Sequence, residues 1–245
     1  MKITYCSDLH CEFINGSADL YSKFTNAENS DVLVIAGDIS TTEYGVDELF
    51  SIVSKNYSIT LYVLGNHDYW GRDLKDTKFM YQNPFDNVKI LDKTYIDIDG
   101  VRFYGGTMWT DYNNQNPLVM LQCRSYMKDF DVMTCHNARI DIEDFIYENR
   151  LFRERLEESF TGFSGKKVVI SHHCPVVDYC DSEPICYAYG NTKVDMEGID
   201  HWIFGHTHSR IDGDVINNCR IYSNARGYFG YESMAYSFEQ RTIEI

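Results

Sequence analysis

Five short apolar stretches of the chain each end in side chains that can bind metals or move protons. The donors are carboxylate oxygens, an amide oxygen and imidazole nitrogens, and such a set favours Mn²⁺, Fe or Zn²⁺ over Cu(I) or an iron–sulfur cluster. The predicted ligands are Asp8, His10, Asp38, Asn66, His172, His206 and His208. Three further candidates lie beside them in the chain, namely His67, Asp68 and His173.

Seven ligands are more than one ion needs, so the set predicts a pair of ions. Two cations about 3.5–4 Å apart, bridged by one carboxylate and a hydroxide, would use every member of the set. Centres of this type occur in hydrolytic enzymes such as phosphatases and nucleases. The residue types therefore indicate two-metal hydrolytic chemistry.

The spacing of these residues fits convergence on one point. Asp8 and His10 are two positions apart, so both would face the same side of an extended segment. His206 and His208 share this spacing. Glycine has no Cβ, so at a glycine the backbone can turn sharply and approach a metal closely. Glycines precede ligands at three places, namely Gly37, Gly65 and Gly205.

The elements that must position these side chains follow from apolar runs and their periodicity. Short runs rich in β-branched and aromatic residues predict buried strands at residues 3–6, 32–36, 59–64, 101–104, 168–170, 202–204 and 220–222. A helical period is clearest over residues 140–160, and residues 43–54 and 72–80 are further candidates. The alternation predicts an α/β sheet, with antiparallel additions from a hairpin-like segment at 88–104 and from the C-terminus. Ligands bind beyond the carboxyl ends of strands in such sheets, which is where the donors lie.

The order of the motifs resembles the calcineurin-like metallophosphoesterase superfamily. The motifs are D-L-H at 8–10, G-D at 37–38, G-N-H-D at 65–68, S-H-H at 171–173 and G-H-T-H at 205–208. Residues 106–112, 126–130 and 224–228 are similar to a subgroup of small bacterial and phage phosphoesterases. The resemblance implies an α/β fold, a four-layer αββα sandwich of two mixed β-sheets flanked by helices.

The resemblance also implies a role for each ligand. Asp38 would bridge the two ions. One ion would be bound by Asp8, His10 and His208, and the other by Asn66, His172 and His206. His172 is preferred to His173 because relatives use the first histidine of such a pair, and strand alternation would turn the second away. Manganese is the favoured metal, with iron and zinc as alternatives.

The implied reaction is hydrolysis of a phosphomonoester or phosphodiester by a hydroxide that bridges the metals. Such a hydroxide forms near neutral pH because the metals lower the pKa of bound water towards about 7. His67 would donate a proton to the departing oxygen, and Asp68 would orient the His67 ring. Two alternatives stay open, a nuclease acting on nucleic acid ends and an inactive scaffold of the same fold that binds proteins. Acidic charge weighs against the first, and the complete ligand set weighs against the second.

Composition bounds the remaining possibilities. A chain of 245 residues fits one domain, over residues 1–245. Its net charge of −15 would repel an extended nucleic acid, so the expected substrate is a small phosphorylated molecule, a nucleotide being one option. No run approaches the ~18 apolar residues of a membrane helix and no signal peptide precedes the first strand, so we expect a cytoplasmic protein with reduced cysteines.

Several residues outside the motifs are candidates for binding substrate. Arg124, Lys128 and Arg226 could clamp a phosphate or a leaving group, or could be ordinary solvated charges. Residues 109–114 could wall the pocket or form a packed loop. The loop at 176–192 could act as a lid whose aromatic side chains stack on a nucleoside, or these side chains could pin the loop down.

Overall fold

The computed structural model describes residues 1–13, 18–76, 85–180 and 185–245. The strands are β1 (Lys2–Cys6), β2 (Val32–Ala36), β3 (Ile59–Val63), β4 (Val88–Leu91), β5 (Thr94–Ile98), β6 (Val101–Gly106), β7 (Thr134–Cys135), β8 (Ala138–Arg139), β9 (Lys166–Ser171), β10 (His201–Phe204), β11 (Arg210–Ile216), β12 (Cys219–Asn224) and β13 (Arg241–Glu244). The helices are α1 (Ala18–Ser22), α2 (Glu43–Asn56), α3 (Pro117–Tyr126), α4 (Asp129–Val132), α5 (Ile142–Phe160) and α6 (Cys186–Tyr189). Between β6 and α3, the segment Tyr112–Gln115 forms a left-handed helical turn.

Two mixed sheets form the centre of the molecule. The first has the strand order β13-β1-β2-β3-β4, in which β1 to β4 are parallel and β13 is antiparallel to β1. The second has the order β11-β12-β10-β9-β6-β5, with four parallel inner strands and an antiparallel strand at each edge. A small pair, β7 with β8, lies outside both sheets.

The alternation of side chains along β2 shows how the layers pack. Val32 and Val34 belong to an apolar cluster that joins the inner faces of the two sheets. Leu33 and Ile35 point the other way, into the cluster formed with α2. On the far side of the second sheet, Phe152 of α5 packs against the strands. The order of layers is therefore helix, sheet, sheet, helix, which confirms the predicted sandwich.

Each predicted strand is present, and two predicted helices are present with shifted ends. The helix predicted over 140–160 begins at Ile142 because Asp141 caps it, exchanging hydrogen bonds with the first turn through Asp144. The helix predicted over 43–54 continues to Asn56 and is capped by Thr42.

Two predictions about the middle of the chain need correction. Residues 72–76 of the predicted helix 72–80 form turns, with a bridge from Asp73 to Thr134, and residues 77–80 lie outside the described part. The hairpin predicted at 88–104 is divided between the sheets, since β4 pairs in parallel with β3 while only β5 and β6 form a hairpin. Its turn is Asp99–Gly100, a pair with positive φ at both residues that suits a two-residue hairpin.

The topology places five strand ends at one edge of the sandwich. β1, β2 and β3 run parallel in the first sheet, and β9 and β10 run parallel in the second. The loops that follow these strands carry the predicted ligands. Of the described helices, none combines the length and the apolar composition needed to span a bilayer.

Candidate metal centre

The structure brings all seven predicted ligands together at the strand ends. The first group consists of Asp8 and His10, after β1, and His208, after β10. The Nε2 atoms of His10 and His208 are 3.2 Å apart, and Nε2 of His208 lies 3.6 Å from Oδ1 of Asp8. One donor atom from each residue lies within 4.8 Å of the others, so these three can hold one ion.

The second group contains Asn66, His172 and His206, which follow β3, β9 and β10. Nε2 of His172 lies 3.0 Å from Oδ1 of Asn66 and 3.1 Å from Nδ1 of His206. His172 and Asn66 are buried. His172 is held by the carbonyl oxygen of Ala36, and Asn66 by the carboxylate of Asp129. This group offers two nitrogens and an amide oxygen, a set suited to a divalent transition metal.

Asp38 lies between the two groups. Its Oδ2 atom is 3.7 Å from Nε2 of His10 and 3.4 Å from Nε2 of His172. Its Oδ1 atom accepts a hydrogen bond of 2.9 Å from the amide of His67. One carboxylate oxygen therefore faces both groups at once, as a bridging ligand must.

The outer ring nitrogens of three histidines lie within hydrogen-bond distance of oxygen acceptors, so their inner nitrogens are the ones free to bind a cation once the rings are neutral. Nδ1 of His10 is 3.2 Å from Glu12, and Nδ1 of His208 is 2.7 Å from Glu232. Nδ1 of His172 is 2.9 Å from the carbonyl oxygen of Ala36. In the tautomers that donate to Glu12 and Glu232, the neutral rings of His10 and His208 would present two unprotonated nitrogens to each other. Such an arrangement fits a cation between them, and carboxylate partners of this kind orient metal-binding histidines.

Asp129 is a positioning residue that the ligand prediction missed. Its Oδ1 atom accepts a hydrogen bond of 2.9 Å from Nδ2 of Asn66, which turns the amide oxygen of Asn66 towards His172. Burial raises the pKa of Asp129 above its usual range. The available signal was the family-like segment at 126–130, in which Asp129 is the acidic member.

The backbone at the ligands differs from the predicted extended geometry. Asp8 and His10 follow β1 with φ values of 52° and 46°, and Asp38, His206 and His208 also have positive φ. The side chains of Asp8 and His10 therefore converge through left-handed backbone and not through strand alternation. The loop is held in this form because the amides of these two residues donate to the carbonyl oxygens of Gly37 and Asp38.

Close approach explains two of the glycines. A Cβ on Gly65 would lie 2.0 Å from Oδ1 of Asp38, and one on Gly37 would lie 2.2 Å from Nδ1 of His172. Gly37 also has a φ of 92°, which side chains with a Cβ rarely adopt. The two glycines therefore let the backbone lie against ligand side chains, while the predicted approach to a metal stays a prediction.

His67 lies at the edge of the centre, but Asp68 does not orient its ring. Nδ1 of His67 is 3.4 Å from Glu12, and its Nε2 is 3.2 Å from the hydroxyl of Tyr228. Oδ2 of Asp68 instead accepts from the amides of Asp38, at 3.0 Å, and Gly65, at 2.7 Å. The predicted contact is wrong because the carboxylate of Asp68 binds these backbone amides and not the His67 ring.

The carboxylates and imidazoles shift one another's pKa values. Burial would raise the pKa of Asp38, but the positive charge of His172 outweighs it and lowers that pKa well below its usual value. Burial would lower the pKa of His172, but the charge of Asp38 raises it to about 9. Burial would also raise the pKa of Glu12, yet hydrogen bonds from His10 and His67 lower it to about 2. This field favours positive charge at the centre.

His173 occupies a separate, structural position. It is buried, and its Nδ1 lies 3.2 Å from the carbonyl oxygen of Thr107. Its ring lies against Trp109 and against His206, with centroid distances of 5.0 and 4.2 Å. Burial, followed by the charge of His172, lowers the pKa of His173 to about 3, which keeps the ring neutral. His173 therefore supports His206 from behind.

A cleft of about 440 Å³ opens above the centre. Its aromatic wall is formed by Trp70, Tyr126, Tyr189 and Tyr228. Of the three candidate clamps, Lys128 lines this cleft, whereas Arg124 and Arg226 are absent from its described lining. Arg124 forms an ion pair with Asp141. The buried guanidinium of Arg226 donates a 2.6 Å hydrogen bond to the carbonyl oxygen of Leu9, so Arg226 holds the first ligand loop.

The two candidate loops have different roles. The loop at 109–114 is packed, since the ring of Trp109 stacks on Phe145 at 4.0 Å. Residues of this loop line a separate cavity of about 690 Å³ beside α5. In the loop at 176–192, residues 181–184 lie outside the described part. Tyr189 of this loop lines the cleft, with its ring 4.9 Å from that of His206.

Comparisons with known proteins agree with this geometry. A family model described as calcineurin-like phosphoesterase matches residues 1–210. An uncharacterized protein, L509, of Acanthamoeba polyphaga mimivirus is 23% identical over 256 residues, covering 92% of this chain and 91% of its own length.

Two solved structures share the fold. One is a phosphopantetheinyl hydrolase from Mycobacterium tuberculosis, with a TM-score of 0.77, 15% identity and coverage of 99% of this chain and 95% of that one. The other is a dimetal phosphatase from Danio rerio, with a TM-score of 0.55, 12% identity and coverage of 99% and 91%. At these identities the likeness shows the fold alone.

Proposed function

Because the chain belongs to the calcineurin-like phosphoesterase family, we propose that it is a dinuclear metal-dependent phosphoesterase that hydrolyses phosphomonoesters or phosphodiesters. The observation that carries this proposal is the position of Asp38, whose Oδ2 atom lies within 3.7 Å of one histidine from each ligand group. A single-ion site has no need for a carboxylate between two complete sets of donors.

Each group of donors would hold one divalent cation. The first cation would be held by Asp8, His10 and His208, the second by Asn66, His172 and His206, and Asp38 would contact both. When bound, the two cations would polarise phosphoryl oxygens and lower the pKa of water enough for it to attack at neutral pH. The nitrogen and oxygen donors suit Mn²⁺, Fe or Zn²⁺, and Mn²⁺ is the first metal to test.

His67 is the residue of this chain best placed to protonate the leaving oxygen. Hydrolysis breaks the bond between phosphorus and that oxygen, which must gain a proton to leave as an alcohol. Burial would lower the pKa of His67, but the charges of Asp38 and Glu12 raise it above its usual value, which keeps the ring protonated nearer neutral pH. Contacts with Glu12 and Tyr228 hold the His67 ring in position, where it lines the cleft.

The size of the cleft and the net charge of the chain favour a small substrate. A volume of about 440 Å³ accommodates a molecule such as a nucleotide. The net charge of −15 disfavours an extended nucleic acid, which would have to lie along an acidic surface.

The test measures metal binding and turnover separately. Protein loaded with Mn²⁺, Zn²⁺ or Fe²⁺ is assayed on nitrophenyl phosphate and on bis-nitrophenyl phosphate, and bound metal is quantified. We expect His67→Ala to retain the metals and to lose about 10²–10⁴-fold in turnover. Asp38→Asn should lose at least one metal per chain. The matched control is His136→Ala, an exposed histidine outside the centre, which should retain both metals and full turnover.

Three results would contradict the proposal. A wild-type chain that binds fewer than two metals would remove the dinuclear centre. Two bound metals without turnover of either ester would favour the protein-binding scaffold. Digestion of single-stranded oligonucleotides at a higher rate than either small ester would favour the nuclease.

A further inference from the structure

Acidic, aromatic and imidazole side chains make up most of the described lining of the cleft above the metal centre. Among its described lining residues, Lys128 is the only lysine or arginine. Acidic residues such as Asp129 and Glu232 share this lining. A phosphate ester approaching the cleft therefore meets one ammonium group beyond the metal ligands, and the position of that group bears on which substrates bind.

Lys128 is held at the mouth of the cleft by an aromatic ring. Its Nζ atom lies 5.1 Å from the centroid of the Trp70 ring, a cation–π distance. Within the described residues, no carboxylate lies within 4.0 Å of Nζ of Lys128, whereas neighbouring Arg124 is paired with Asp141. The charge of Lys128 is thus available to an anion from solution.

The Trp70 ring fixes the position of Lys128 relative to the reaction. The rings of Trp70 and His67 stack with centroids 3.8 Å apart and an interplanar angle of 22°. Trp70 is also directed by its Nε1 atom, which lies 3.4 Å from Oδ1 of Asp129. The Trp70 ring therefore contacts both the ammonium group of Lys128 and the ring of His67, the residue that would protonate the leaving oxygen.

We infer that Lys128 binds a second anionic group, a phosphate or a carboxylate, carried by the leaving group of the substrate. This inference rests on the proposed function, because His67 marks the side on which the leaving group departs. A compact ester whose leaving group ends in an anion would place its phosphoryl group on the metal ligands and its second charge at Lys128. Such substrates include diphosphates and phosphorylated hydroxy acids.

The expected selectivity is modest because Lys128 is exposed. An ion pair at a cleft mouth is partly screened, so its contribution corresponds to a preference of about 3- to 10-fold. The preference should fall as ionic strength rises, whereas the contribution of a buried pair would persist.

The experiment compares three phenyl phosphates that differ only at the para position. One carries a neutral propionamide, the second a propionate and the third an ethylphosphonate, which separates a carboxylate from a phosphate-like source of charge. The wild-type chain with Mn²⁺ should show a 3- to 10-fold higher kcat/KM for the two anionic esters, through a lower KM. Lys128→Met should bring the ratio close to one, and Lys128→Arg should restore it. Arg124→Met removes the same charge from the adjacent helix and should leave the ratio unchanged.

A binding measurement separates failure of this inference from failure of the proposed function. The corresponding phenylphosphonates, which cannot be hydrolysed, are titrated into the Mn²⁺-loaded chain. Tighter binding of the anionic compounds by the wild type but not by Lys128→Met supports the inference even if no ester is turned over, a result that would reject only the proposed function. Equal binding of neutral and anionic compounds by the wild type, or a preference that survives Lys128→Met, overturns the inference.

Discussion

Five of the seven predicted metal ligands lie in left-handed backbone, and this feature separates the centre from an ordinary set of strand ends. A residue with a Cβ in this region costs about 1–3 kcal/mol, although aspartate, asparagine and histidine tolerate it better than most. Glycine would relieve the strain but would remove the donor atom. The strain is offset by backbone hydrogen bonds such as that from Asp8 to Gly37, at 3.0 Å. The ligand loops therefore depend on each other's main chains as well as on a shared ion.

Glu12 links the metal ligands to the proton donor, so its removal should impair both. Its Oε1 atom lies 3.2 Å from Nδ1 of His10 and 3.4 Å from Nδ1 of His67. We expect Glu12→Gln to lower Mn²⁺ affinity, turnover or both by about 10- to 100-fold, the usual cost of removing a carboxylate behind a metal-binding histidine.

Titration of Mn²⁺ into the protein and steady-state kinetics at saturating Mn²⁺ would measure the two effects of Glu12→Gln separately. Glu28→Gln is the matched control, because Glu28 is an exposed carboxylate paired with Lys2 far from the centre. Unchanged affinity and unchanged kcat in Glu12→Gln would remove Glu12 from the site.

The ligands could be predicted from the sequence because each follows an apolar strand within a short motif. The residues behind them could not be predicted in this way. Glu232 supports His208 from 24 positions further along the chain, and Asp129 supports Asn66 from 63 positions further. Such contacts depend on how the loops pack, and the family-like segment at 126–130 marks Asp129 without indicating its partner. The prediction for Asp68 failed for a different reason. Asp68 is adjacent to His67 in sequence, but its carboxylate accepts hydrogen bonds from the amides of Asp38 and Gly65.

At the scale of elements, α5 is joined to the connection between the two sheets by one buried carboxylate. Glu148 of α5 forms ion pairs with Lys75, after β3, and with Lys93, which lies between β4 and β5. The distance from Nζ of Lys93 to Oε2 of Glu148 is 2.8 Å. Between β4 and β5 the chain passes from the first sheet to the second. The hairpin prediction missed this crossing because the apolar residues of a strand look alike in both sheets.

The pairing of Glu148 predicts a pH-dependent contribution to stability. Burial would raise the pKa of Glu148, but the positive charges of Lys93 and Lys75 outweigh it and lower that pKa below the usual 4.5. The stabilisation is therefore complete above the unfolded-state pKa and is lost as pH falls through the lower folded-state value. Glu148→Gln should cost about 1–3 kcal/mol in the free energy of unfolding near pH 7, and the cost should shrink towards zero in acid.

Urea unfolding across a pH series would check the prediction for Glu148. Glu154→Gln provides the comparison, because Glu154 lies on the same helix but is exposed and only loosely paired with Arg150, at 3.9 Å. Its effect should stay within about 0.5 kcal/mol at every pH. A cost for Glu148→Gln that is the same in acid and at neutral pH would show that packing, and not charge, explains it.

At the scale of the whole molecule, the centre is assembled from both sheets. Asp8, Asp38 and Asn66 follow strands of the first sheet, and His172 and His206 follow strands of the second. Neither sheet alone supplies a complete ligand set for either ion. The apolar cluster between the sheets aligns their parallel strand ends, and bound cations would then join the same edges.

Metal binding should therefore stabilise the fold as a whole. A ligand that binds only the folded state adds about 2.7 kcal/mol at a concentration one hundred times its dissociation constant. For a chain of this size, that corresponds to an increase in Tm of roughly 5–11 °C. Thermal unfolding with added Mn²⁺, with and without a chelator, would measure the increase. Asp38→Asn should reduce it, since Asp38 faces both ligand groups, whereas Glu28→Gln should retain it in full. A Tm that does not respond to Mn²⁺ would mean that the folded chain does not bind Mn²⁺ in preference to the unfolded chain, and it would contradict the predicted metal centre.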